Sequence, residues 1–243
     1  MKIFDVVGNK SACALATTVD DALNAAIAKN DLDADVGIYS IDGMSGKKYR
    51  YFINTLMAAL GPTRYLEVGS WMGSTMCAAV HGNKVDAVAI DNWSEFGGPK
   101  NTFLNNLNTY ITPDVHVTLV EADFRTVEYA KLPGPFQVYL FDGPHDAIDQ
   151  YYGLKLAMPC LADQFVFIVD DWNWSRVREG TLAALSKCEV TVLYGASIRT
   201  TDNDISPEHL LPIKSFRAVR DFDWHNGYFI MVLAKPGTPG ARP

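Results

Sequence analysis

Five successive apolar runs in this 243-residue chain end in acidic residues: Glu67, Asp91, Asp123, Asp142 and the pair Asp170-Asp171. Solubility alone would supply one such acid, but five in a row call for another explanation. The last two groups hold the most chemistry. Asp142-Gly-Pro-His145 and Asp170-Asp171-Trp-Asn173 follow runs that should be neighbouring strands, so three carboxylates are expected at one rim. Two carboxylates about 4 Å apart repel by about 4 kcal/mol at an effective dielectric near 20. The trio therefore requires a protonated acid, an intervening basic residue or a bound divalent cation. Ligands that are all oxygen suit Mg2+, Mn2+ or Ca2+ rather than zinc. The plain structural alternative is that these acids cap the helices that follow them.

The elements that must position these residues alternate. Strands are expected at 64–69, 85–91, 115–123, 136–143, 164–171, 189–195 and 227–235. Helices are expected through about Val80, near 100–110, 125–131 (short), 146–158 and 175–187. Near-continuous apolar strands alternating with helices imply right-handed crossovers and a parallel sheet covered on both faces. The expected fold class is α/β, Rossmann-like and doubly wound. Ligands bind outside the carboxyl ends of such strands, where the acids stand.

The first 60 residues read as helical, with a helix start at Thr18-Val-Asp-Asp21 and a second helix over about 46–60. In that helix Tyr49, Phe52, Ile53, Leu56, Met57 and Leu60 form one apolar stripe, and Gly61-Pro62 stops it. Ser45 is a candidate cap for it. Asp31, Asp33 and Asp35 alternate as in a calcium loop, but Val36 replaces the glycine such a loop needs. The expected organisation is an N-terminal helical cap (1–62), a main domain (63–235) and a tail (236–243).

Net charge is −7, from 21 basic and 28 acidic residues. That argues against a general nucleic-acid or membrane-surface partner. No apolar run reaches membrane-span length and no export signal is visible, so the cytoplasm is expected. Cys13, Cys77, Cys160 and Cys188 form no CxxC pair and read as reduced thiols.

Glu67-Val-Gly69-Ser70-Trp-Met-Gly73-Ser74, followed by Asp91 and Asp123 at the next two strand ends, resembles the class I S-adenosylmethionine-dependent methyltransferases. Trp71 stands where that pattern has its middle glycine. The missing GxGxxG spacing also disfavours a nucleotide-dependent oxidoreductase. The resemblance covers about 63–235 and implies a seven-stranded sheet whose last strand is antiparallel. It implies that Glu67, Gly69, Ser70, Gly73 and Ser74 cradle the cofactor S-adenosylmethionine. Asp91 would accept the ribose hydroxyls and Asp123 the adenine amino group, with Asn92, Trp93 and Phe124 flanking the base and Met44 lying over the cofactor.

Asp142, His145, Asp170 and Asp171 further resemble the metal-dependent O-methyltransferases of macrolide-sugar and cephalosporin-tailoring type. There Asp142, Asp170 and Asp171 would hold the cation. Asp142 and His145 would be catalytic, with His145 removing the proton of a small hydroxylated acceptor such as a sugar or natural product. A metal-independent methyltransferase and a non-catalytic cofactor-binding or assembly protein are the alternatives. His81, His116, His209 and His225 have no comparable sequence partners. The polar connection 196–224 is long enough to be functional or an oligomer contact, so a homo-oligomer is compatible with it. Trp172, Trp174 and Trp224 are candidate pocket walls without assigned roles.

Overall fold

A computed structural model describes residues 3–29, 37–207 and 223–239. Asp31, Asp33, Asp35, His209 and the 208–222 part of the long connection lie outside the described residues.

Eight strands form one sheet. They are β1 (Ile3–Gly8), β2 (Thr63–Val68), β3 (Val85–Asp91), β4 (His116–Glu121), β5 (Phe136–Phe141), β6 (Leu161–Val169), β7 (Thr191–Arg199) and β8 (Tyr228–Ala234). Their order is β1-β7-β8-β6-β5-β2-β3-β4. Strands β2 to β6 pair in parallel, and β8 inserts antiparallel between β6 and β7. The Rossmann-like sheet and its antiparallel last strand are as expected. The eighth strand was not: β1 comes from the segment read as purely helical and pairs antiparallel with β7 at the sheet edge. Val6 and Val7, on opposite faces of β1, are both exposed, so burial imposed no alternating pattern on this strand.

Residues alternate between two apolar layers. In β8, Tyr228, Ile230 and Val232 join one core with α1 (Ala14–Ala28), α2 (Lys47–Leu60), α3 (Ser74–Val80) and α4 (Lys100–Tyr110). Phe229, Met231 and Leu233 join the other, with α5 (Ala147–Ala157) and α6 (Ser175–Lys187). Period-two alternation in a doubly covered sheet produces this partition. No helix among the described residues is long and apolar enough to cross a membrane.

Three local expectations differ. The first helix opens at Ala14, not Thr18, capped by Cys13 Sγ accepting from the Ala16 N–H at 3.4 Å. Thr18 instead bonds back to the Ala14 carbonyl at 3.0 Å, inside the helix. The short helix near 125–131 is two 3-10 turns, 124–126 and 129–131, because the Asp123 side chain takes the Arg125 N–H and closes a local turn. Ser45 does not cap α2, whose N-cap is Gly46. The Ser45 hydroxyl instead accepts from buried Arg50 Nε at 2.9 Å and bonds Ser74 Oγ at 3.0 Å.

Candidate active site

The turn between β2 and α3 is held by close backbone approach. Gly69 has φ +88, and a Cβ there would lie 1.8 Å from the Asp142 carbonyl oxygen. Only glycine lets the ends of β2 and β5 come together at that point. Glu67 is fully buried beneath the turn, with Tyr65 donating to its Oε2 at 2.6 Å. Burial pushes the Glu67 carboxyl up to about 7, against the lowering effect of the Tyr65 hydrogen bond. Ser70 and Ser74 are buried as well.

Asp91 sits at the end of β3, and both of its oxygens are oriented by backbone. Oδ2 accepts from the Trp71 N–H at 2.8 Å and Oδ1 from the Trp93 N–H at 2.6 Å. The Trp93 indole N–H reaches the Trp71 carbonyl at 2.9 Å, and its ring packs against Phe103. Asp123 follows β4 and is bonded by the Arg125 backbone N–H and, at 2.9 Å, by Arg125 Nη1. Arg125 also bridges to buried Asp149 on α5, and its guanidinium lies 4.9 Å from the Phe124 ring centroid.

The acids after β5 and β6 converge, and they are not helix caps. The N-cap of α5 is Asp146, and the first N–H of α6, from Ser175, goes to Asp204 Oδ1 at 2.8 Å. Asp171 Oδ2 meets His145 Nε2 at 2.5 Å, while Oδ1 accepts from Asn226 Nδ2 at 2.7 Å. The His145 ring stacks on Trp174 with centroids 5.8 Å apart.

Burial, then the charges of Asp170, Asp171 and Glu67, push Asp142 well above the usual carboxylate range. Burial and Asp171 push Asp170 up to about 7. Burial would raise Asp171 too, but the His145 hydrogen bond and charge carry it below its ordinary value. For His145, burial lowers the pKa, and the bond and charge of Asp171 outweigh it to give a net rise. Asp142 and Asp170 are thus held toward their neutral forms.

One cavity of about 500 Å³ joins both halves of the site. Met44, Gly69, Asp91, Asn92, Trp93, Asp123 and Phe124 line one part, and Asp142, His145, Asp170, Asp171 and Trp174 another. Glu67, Ser70, Gly73 and Ser74 do not line it and stand behind the turn. Trp172 and Trp224 are buried in the core rather than in the wall. Seven non-glycine residues among those described have positive φ, and five of them line this cavity: Trp71, Trp93, Phe96, Asp171 and His225. Such concentration of strained backbone is typical of functional sites.

Sequence reasoning missed His225, Asn226 and Phe96. Ligand atoms of Asp170, Asp171 and His225 lie within 4.8 Å of one another, as do those of Asp142, His145 and Asp171. A signal for His225 existed: an antiparallel last strand must begin at the rim where the parallel strands end.

Residues 66–172 match a family model described as a methyltransferase domain. No curated protein matches the sequence. Among solved structures, the chain is similar to an O-methyltransferase from Bacillus cereus in complex with SAH. That match has 15% identity, covers 90% of this chain and 91% of that one, and has a TM-score of 0.51. The O-methyltransferase TomG from Streptomyces achromogenes, in complex with SAM, shares 13% identity over 90% and 89% of the chains, at a TM-score of 0.53. Cofactor-bound Rv0187 from MTB shares 15% over 90% and 89%, at 0.51. At these identities the solved structures establish the fold.

Proposed function

We propose that this chain, whose residues 66–172 match a methyltransferase domain, is a class I S-adenosylmethionine-dependent enzyme that methylates a hydroxyl of a small acceptor, with His145 as base and a divalent cation at the acid rim. The observation that carries this is the His145–Asp171 contact of 2.5 Å, in a cavity whose other part holds Asp91 and Asp123. TomG is an O-methyltransferase involved in tomaymycin synthesis, which supports a natural-product acceptor.

S-adenosylmethionine, when bound, supplies a methyl group on a cationic sulfur; the bond from carbon to sulfur breaks as the acceptor oxygen bonds the carbon, and sulfur keeps the electron pair. Asp91 orients the ribose. A carboxylate has about four acceptor positions, so each Asp91 oxygen can take a ribose hydroxyl beside its backbone N–H. Asp123 would accept from the adenine amino group, with Trp93 and Phe124 as apolar walls of the same cavity. Gly69, Ser70, Gly73 and Ser74 shape the turn that holds the methionine part, Glu67 supports it from below, and Met44 closes over it.

His145 takes the acceptor's proton. Asp171 accepts from Nε2–H and stabilises the imidazolium, which leaves Nδ1 as the basic nitrogen. The stack on Trp174 fixes the ring plane. Much of the catalysis is then alignment of oxygen, carbon and sulfur.

Asp142, Asp170 and Asp171 fit a divalent cation because Asp171 offers oxygens within 4.8 Å of ligand atoms of Asp142 on one side and of Asp170 on the other. The cation would lower the acceptor hydroxyl's pKa. A metal-independent reading draws on one observation: both Asp171 oxygens are already engaged, by His145 and Asn226.

Calorimetry with S-adenosylhomocysteine tests the cofactor half, and absence of binding overturns it. Turnover on an acceptor panel, with chelator and with added Mg2+ or Mn2+, separates the two readings. Full activity in chelator favours the His145–Asp171 pair acting alone.

A further inference from the structure

The turn before β8 reaches the acid rim from a stretch of chain that no strand-end motif marks. His225 is 4% exposed, and a ring nitrogen of it lies within 4.8 Å of carboxylate oxygens of both Asp170 and Asp171. The turn is held from two sides. Thr200 Oγ1 donates to the His225 carbonyl at 2.5 Å, and the Asn173 N–H donates to the Asn226 carbonyl at 2.9 Å. Gly227 then has φ +84, with the position of a Cβ only 2.3 Å from the Ile198 carbonyl oxygen.

Asn226, next in the same turn, ties it to the acid pair. Its Nδ2 donates to Asp171 Oδ1 at 2.7 Å. A carboxylate accepts only, so the amide must present its nitrogen to Asp171 and turn its carbonyl the other way. That carbonyl oxygen is buried and has no hydrogen-bond partner.

We infer that His225 is a nitrogen ligand in the cation site together with Asp170 and Asp171, so that the site prefers a first-row transition cation to Mg2+ or Ca2+. The inference rests on the cation reading above and changes its chemistry, from an all-oxygen site to a mixed one. Carboxylates alone suit Mg2+, Ca2+ and Mn2+, whereas imidazole is a good donor to transition metals and a poor one to hard cations. His145 is the other imidazole at the rim, and its Nε2 is committed to Asp171 Oδ2. Asn226 is a positioning residue that holds the shared carboxylate.

Mn2+ alone, added to the full-length protein, is the probe. Calorimetry should show Mn2+ binding at least about tenfold more tightly than Mg2+. Pulsed electron paramagnetic resonance of bound Mn2+ should show nitrogen coupling that persists in His145→Ala and disappears when His225→Gln is added. Should substitution at 225 unfold the protein, the His145→Ala spectrum decides by itself. Mn2+ bound to His145→Ala without nitrogen coupling, or Mn2+ and Mg2+ bound equally, overturns the His225 ligand and leaves the cation site standing. Failure of the unaltered protein to bind either ion overturns the cation reading itself.

Discussion

Asp91 illustrates what one residue contributes beyond its charge. Its two oxygens gather the Trp71 and Trp93 N–H groups, so the same carboxylate that would receive ribose also shapes the turn around it. Asp91→Ala should therefore weaken S-adenosylhomocysteine binding by about a hundredfold or more, since hydrogen bonds to a charged acceptor contribute about 1.5–3 kcal/mol each. Calorimetry measures this, with thermal unfolding as a check on stability. His145 makes a second prediction. Asp171 holds its pKa above the ordinary 6.5, so Asp171→Asn should shift the ring's titration midpoint downward, as read by NMR of the ring carbon. A midpoint unmoved or raised would contradict the assigned pairing. At this scale the sequence singled out Asp91, Asp123, Asp142, His145, Asp170 and Asp171, because each stands just after a strand-like run, and the structure places all six along one cavity. His225 and Asn226 were obscured because they precede their strand, and the turn that carries them is held by Thr200 and Asn173 rather than by a local pattern.

Among elements, the β2 turn is the most constrained. Gly69→Ala combines a left-handed backbone with a Cβ 1.8 Å from the Asp142 carbonyl oxygen, so the ends of β2 and β5 must separate. The expected cost is about 3 kcal/mol or more, with loss of cofactor binding. Gly61→Ala is the comparison: its φ of +71 and ψ of −147 strain any side chain, but nothing lies within 4 Å, so it should cost about 1–3 kcal/mol and leave cofactor binding intact. Urea denaturation of the two variants measures the contrast. Strands β3, β5, β6 and β8 were legible because burial on both faces makes them largely apolar, whereas β4, at the other sheet edge, has no fully buried residue. Strand β1 was not, because an exposed edge strand needs only a partial apolar face, and its Val6 and Val7 point to solvent. Helix starts were misplaced where a side chain that caps one helix in general terms found other work here, as Ser45 did with Arg50 and Ser74.

On the scale of the molecule, the net charge of −7 matters less than where it gathers. Glu67 and Asp170 both titrate at about 7 when folded, far above free carboxylates. A carboxyl raised on folding stabilises the protein fully below its unfolded value and loses that contribution as pH rises through its folded value. Raised His145 acts in the same direction, its contribution fading as pH rises above 6.5. Without added cation, the melting temperature should therefore fall as pH rises from about 5 to 8. Glu67 alone is expected to account for roughly 3 kcal/mol across its shift from 4.5 to about 7. Glu67→Gln should flatten that slope in calorimetric scans at several pH values, and an unchanged slope would contradict the assignment. The insertion of β8 between β6 and β7 has a further consequence for how the molecule is made. On the ribosome, β6 and β7 are complete while the slot between them is still open, so a growing chain carries two unsatisfied strand edges until residues 228–234 emerge. His225 and Asn226 arrive with that strand. The acid rim is thus completed only once this strand has emerged, and a chain stopped before it should not offer His145 a fully anchored partner.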